Sequence, residues 1–184
     1  MANNPMGLDF IEGSLGVCRL TFDNLDLGKT LEELTVEYVE DLKDIFYAQD
    51  GTQPMDKVPT GQAYVVKAKL AEQTWAILAK LMRGLTVVGH SALLAANLYL
   101  SGKANFAKVL KISRVDSDGV ASAVPEYILT FYKAFPHVTG PIGTFGPDTQ
   151  RAVEVEWYCF RDPAHRNAFA VSGHPSSLGT GYIV

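Results

Sequence analysis

The chain has 184 residues, 47% of them hydrophobic and 20% charged, with 16 Lys and Arg against 20 Asp and Glu. That length is enough to bury a real core in one domain, and that composition excludes a wholly disordered chain. The formal net charge of −4 excludes a basic grip on nucleic acid, which needs Lys and Arg in excess to displace counterions from phosphates.

Residues 1–14 are polar, contain glycine and proline, and read as an extended arm without the regions of a secretion signal. LGVCRLTF, at 15–22, alternates as a first strand, and the turn-rich DNLDLGK follows it. Residues 30–48 carry two patterns at once. As a helix, Thr30 and Glu33 form a capping box, and Leu31, Leu34, Tyr38, Leu42, Ile45 and Phe46 form one stripe. As a strand, Leu34, Val36 and Tyr38 alternate with Thr35, Glu37 and Val39. Context sides with strand. The segment runs through a loop at 48–61, carrying Met55 and punctuated by Asp50, Gly51, Pro54, Pro59 and Gly61. A second strand, GQAYVVKAKL, follows, and the layout predicts a long hairpin.

Residues 71–83, AEQTWAILAKLMR, are the clearest helix. Trp75, Leu78 and Met82, with Ile77 and Leu81 beside them, make a core-facing stripe, and Gly84 is a stop signal. The stretch HSALLAANLYLSG fits helix or strand. VLKISRV, at 109–115, reads as a strand, and DSDG as a turn.

Two long alternating strands follow, YILTFYKAFPHV and RAVEVEWYCFRD, joined by the Gly/Pro-rich TGPIGTFGPDTQ. In the first, Tyr127, Leu129, Phe131 and Phe135 fall on one face, with Thr130 and Tyr132 on the other. In the second, Val153, Val155, Trp157 and Cys159 oppose Glu154, Glu156 and Tyr158. Faces that mix charges with aromatics suit a sheet that meets another chain or lines a channel. A last short strand and an extended tail at 171–184 complete a single, mainly β domain with one principal helix.

Chemistry is sparse. His90, His137, His165 and His174 lack metal-ligand spacing, and Cys18 and Cys159 form no CxxC. His165 and His174 read as solvated loop residues, and His137 as a rim residue. No GxGxxG, phosphate loop or GxSxG elbow is present. Glu154 and Glu156 point the same way, about 7 Å apart, and Asp116 and Asp118 pair in a turn. Solvated or channel-facing acids are the commoner use of such pairs. The expectation is a protein that is not an enzyme and holds neither cofactor nor metal. No apolar run approaches the roughly 18–20 residues of a membrane span. A soluble, cytoplasmically made chain with no stable membrane association is expected.

The layout resembles that of the tail tube proteins of long-tailed bacteriophages, relatives of type VI secretion tubes. The resemblance lies in ELTVEYVED, DGTQPMDKVPTGQAYVVKAKL, AEQTWAILAKLMRGL, VLKISRV, YILTFYKAF and RAVEVEWYCFRDPA, and spans residues 15–170. It implies a β-sandwich or half-barrel with a flanking helix, long loops and extended terminal arms. It further implies hexameric rings, stacked into a hollow conduit in the virion tail and assembled in the host cytoplasm. The implied partners are copies of the chain, with tape-measure, baseplate and terminator proteins, and DNA only passing through. On that reading Glu37, Glu154 and Glu156 line the lumen, and Asp50, Gly51, Pro54, Met55, Pro59 and Gly61 belong to an inter-ring loop. The rivals are a tail terminator or head–tail connector, a secretion tube subunit, and a small-ligand-binding β-barrel.

Overall fold

A computed structural model describes residues 17–46, 55–71, 74–82, 85–88, 91–94, 103–115, 118–141, 152–165 and 168–172. Among them the fold is mainly β with one α-helix. The strands are β1 (Cys18–Phe22), β2 (Leu25–Asp26), β3 (Thr35–Ile45), β4 (Asp56–Leu70), β5 (Leu85–Val88), β6 (Ser91–Leu94), β7 (Lys108–Arg114), β8 (Ile128–Val138), β9 (Val153–Phe160) and β10 (Ala170–Ser172). The helix, α1, spans Trp75–Leu81.

One antiparallel sheet runs in the order β2-β1-β7-β8-β9-β4-β3, and β5 and β6 pair separately. β9 shows why such a sheet forms. Val153, Val155, Trp157 and Cys159 are buried on one face, while Glu154, Glu156 and Tyr158 stand on the other. β4 repeats the pattern beside it, with Val66, Ala68 and Leu70 buried and paired to Trp157, Val155 and Val153. Leu20 and Phe22 from β1, Leu110 and Ile112 from β7, and Phe131 from β8 complete the core face.

The sheet bends around that core. β2 and β4 lie five strand positions apart, about 24 Å in a flat sheet. Yet Thr30, four positions beyond Asp26, already bridges Leu70 on β4, and four residues reach at most about 14 Å. Only a curled sheet closes that gap. Phe22 on β1 and Trp157 on β9 meet across the interior, with ring centroids 6.5 Å apart.

Residues 35–45 are strand, as the hairpin context predicts. The competing stripe is answered by register: Val36↔Val66 and Tyr38↔Tyr64 set the even positions on the core side. The helix is shorter than predicted and its face differs. Thr74 caps it, accepting a hydrogen bond from the Ile77 amide at 3.3 Å. Ile77, Leu78 and Leu81 are buried against the core, but Trp75 is 52% exposed. Residues 91–94, open between helix and strand, form β6. Gly84, the predicted stop, lies outside the described residues.

β8 corrects a second expectation. Its pairing with β7 runs Leu110↔Phe131 and then Lys108↔Ala134, so β8 takes three steps where β7 takes two. This bulge flips the alternation. Ala134 joins Phe131 on the core face, and Phe135 turns to the other side, opposite Tyr158.

Candidate functional site

Three features of the outer sheet surface combine unusual side chains with defined geometry. The first is a charged lattice. Register sets Lys67 opposite Glu156 and Lys69 opposite Glu154, with Glu37 one strand further on. Lys67 Nζ lies 2.8 Å from Glu37 Oε2, and Lys69 Nζ lies 2.6 Å from Glu32 Oε1 and 3.5 Å from Glu154 Oε1. The bonds to Glu37 and Glu32 are the largest causes that hold these two ammonium groups above the usual lysine range. The Tyr158 hydroxyl donates to Glu156 Oε2 at 3.2 Å, and desolvation, with that bond, raises its pKa. The lattice borders a cleft of about 210 Å³ that also takes in Glu33 and Thr139.

Glu37, Glu154 and Glu156 therefore share one sheet face. They do not form the bare acidic wall that alternation suggests, because two lysines of β4 are threaded between them. Lysine spacing within GQAYVVKAKL is visible in the sequence; which acids it meets depends on register alone.

The second feature is a ribbon. Beyond Tyr64 the β3–β4 hairpin outruns β9, whose last partner on β4 is that residue. From Asp41 to Ile45 and from Asp56 to Gly61 the side chains are exposed or half-buried on both faces. Leu42, Val58 and the flanking Phe46 and Met55 are 52%, 41%, 55% and 59% exposed. Among the described residues β3 pairs only with β4, so its outer backbone edge is open.

Of the predicted loop, Asp50, Gly51 and Pro54 lie outside the described residues, and Met55 is exposed just before β4. Pro59 and Gly61 are corrected from loop to strand. They flank a bulge, with Asp41↔Gly61 followed by Leu42↔Pro59, and Thr60 is the extra residue. A proline without an N–H is tolerated at such a break in the ladder. Gly61 sits close to Asp41, where an added Cβ would come within 3.2 Å of Oδ2.

The third feature was missed from sequence. After β9 the chain leaves the sheet and returns as β10 beside β8. Asp162, only 6% exposed, holds this excursion. Its carboxylate lies 2.6 Å from His165 Nδ1 and 3.0 Å from Lys133 Nζ, and accepts from the Ala164 amide at 3.3 Å. The bonds to His165 and then Lys133 hold its carboxyl below the ordinary aspartate range. The His165 ring stacks flat on Tyr132, with centroids 3.8 Å apart and planes at 6°. His165 is half in solvent, as the sequence suggests, and is also held in the turn by Asp162 and Tyr132. The only sequence signal was Asp162 three positions before it.

Cys159 is buried and its thiol is pushed up to about 12 by desolvation, which makes it a poor nucleophile. His137 is exposed and tilted against Tyr158 at 6.1 Å. Neither a protein-family model nor a curated protein matches this chain.

Proposed function

We propose that the chain is a structural subunit of a phage-type tail tube, joining copies of itself into hexameric rings that stack into a hollow conduit for DNA. The ribbon carries this reading. A two-stranded ribbon with both faces in water is marginal by itself, and open strand edges invite pairing with another chain. Leu42, Phe46, Met55 and Val58 add apolar surface at the same place. A monomer gains nothing from such a projection, whereas a subunit whose neighbour covers it gains order and buried area.

The curled sheet fits the half-barrel expected of such a subunit, with the lattice of Glu37, Lys67, Glu156, Lys69 and Glu154 facing the lumen. Acids outnumber bases there, so the wall repels phosphates weakly while its own lysines limit the field. Tape-measure, baseplate and terminator proteins are its expected partners in the virion tail.

Negative-stain electron microscopy of the concentrated protein tests the proposal. Hollow tubes built of six-fold rings are the expected result. Rings that never stack move the chain to a terminator or connector, and monomers at every concentration overturn the assembly reading.

A further inference from the structure

β3 presents matching chemistry in both directions from its centre. Around Leu42 the residues fall into pairs: Asp41 with Lys43, Glu40 with Asp44, Val39 with Ile45, and Tyr38 with Phe46. Opposite charges, two acids, two β-branched residues and two aromatics thus recur at equal distances from one residue. The members of each pair are an even number of positions apart, so both stand on the same face of the strand. Val39, Asp41, Lys43 and Ile45 share the face of Glu37, whereas Glu40, Leu42, Asp44 and Phe46 share that of Tyr38. All are exposed except Ile45, which is half-buried.

The outer edge of this strand also has its backbone groups in the right phase. The Met55 amide donates to the Ile45 carbonyl at 3.0 Å, so Ile45 turns its backbone toward β4. Alternation turns Lys43, Asp41 and Val39 the same way, and points the N–H and C=O of Glu40, Leu42 and Asp44 outward. The bulge leaves this alternation intact, because its extra residue, Thr60, lies on β4. Among the described residues no strand pairs with this edge.

We infer that β3 pairs with β3 of a second copy, antiparallel and centred on Leu42, in a two-fold dimer that covers the ribbon edge. In that register Leu42 exchanges both backbone hydrogen bonds with its counterpart, and Glu40 does so with the second copy's Asp44. Asp41 and Lys43 take the non-hydrogen-bonded positions, where side chains stand closest, and form opposite-charge pairs across the axis. Val39 meets Ile45 on their face, and Tyr38 meets Phe46 on the other. Glu40 against Asp44 opposes the contact, and Lys57, 3.5 Å from Asp44, supplies a cation beside it. A centre one residue away sets Asp41 against Asp41 or Lys43 against Lys43, and a centre between residues opposes different faces. Charge and parity therefore select Leu42. Such a contact closes after two copies, so it is separate from the extending contacts of a tube and does not rest on them. It shields an open edge from indiscriminate strand pairing.

Sedimentation velocity tests the dimer, with circular dichroism to confirm folding. Asp41→Lys sets Lys against Lys, and Lys43→Asp sets Asp against Asp. Each alone should dimerise about tenfold more weakly than wild type. Mixed together, the two variants should form a 1:1 heterodimer, because every facing pair then has opposite signs. Both changes in one chain should restore the homodimer. Leu42→Pro removes an outward N–H without breaking a bond to β4, and should abolish dimerisation. The inference falls if wild type gives no dimer up to about 1 mM, if either reversal leaves dimerisation within about twofold, or if the mixture fails to pair. Electron microscopy keeps the two readings apart. Tubes without a dimer sink this inference and leave the tube reading, whereas a dimer that never yields tubes does the reverse.

Discussion

Asp162 concentrates more interactions than any other carboxylate described here, and its behaviour with pH follows from them. His165 and Lys133 bond to the ionised form, so the folded pKa lies below the ordinary value of about 3.9. A depressed carboxyl contributes stability above its unfolded pKa and loses it as pH falls through the folded value. Asp162→Asn should therefore lower the melting temperature by several degrees at pH 6, and the gap to wild type should close as pH approaches 3. A gap that does not change with pH would mean that the charge is not what holds the turn. Residue-level detail of this kind was hidden in the sequence, since Tyr132 and Lys133 lie on β8, far from His165 along the chain. Two neighbouring strands had to meet before the histidine acquired partners.

Among the elements, α1 and the β3–β4 hairpin show two different limits of local pattern. The apolar stripe in AEQTWAILAKLMR announces a helix, but its start is set by Thr74. Thr74→Ala removes that cap and should cost about 1 kcal/mol, measured by urea denaturation. Trp75→Ala should cost far less than Leu78→Ala, because Trp75 is half in solvent while Leu78 is buried. For residues 30–48, helix and strand periodicities coexist, and pairing with β4 decides between them. The same pairing continues past the end of β9, so the hairpin leaves the sheet as an open ribbon. Its exposed apolar residues look like core candidates in sequence. Only the termination of β9 at Phe160 makes them surface.

For the whole molecule, stability rests on the curl that brings Phe22 to Trp157. Trp157 is fully buried, and Trp157→Ala should destabilise the fold by about 3–5 kcal/mol in chemical denaturation. Because the residue sits inside and the ribbon outside, this loss should appear in monomer stability. Leu42→Ser with Val58→Ser on the exposed ribbon should instead keep monomer stability and lose association. Separation of those two effects distinguishes folding energy from assembly energy.

By itself the sequence determined the mainly β character, the apolar face of β9, the presence of α1 and a net charge of −4. Alternation and amphipathic stripes report burial of one face, and they are local properties. Tertiary structure decided the rest. A bulge opposite Lys108 and Leu110 moved Phe135 to the other face, because one extra residue inverts a period of two. Register threaded Lys67 and Lys69 between acids that had seemed unpaired. Curvature joined β2 to β4 through a link too short for a flat sheet. Each of these depends on which strand lies beside which, and pairing across long stretches of chain leaves no trace in the pattern of any one segment.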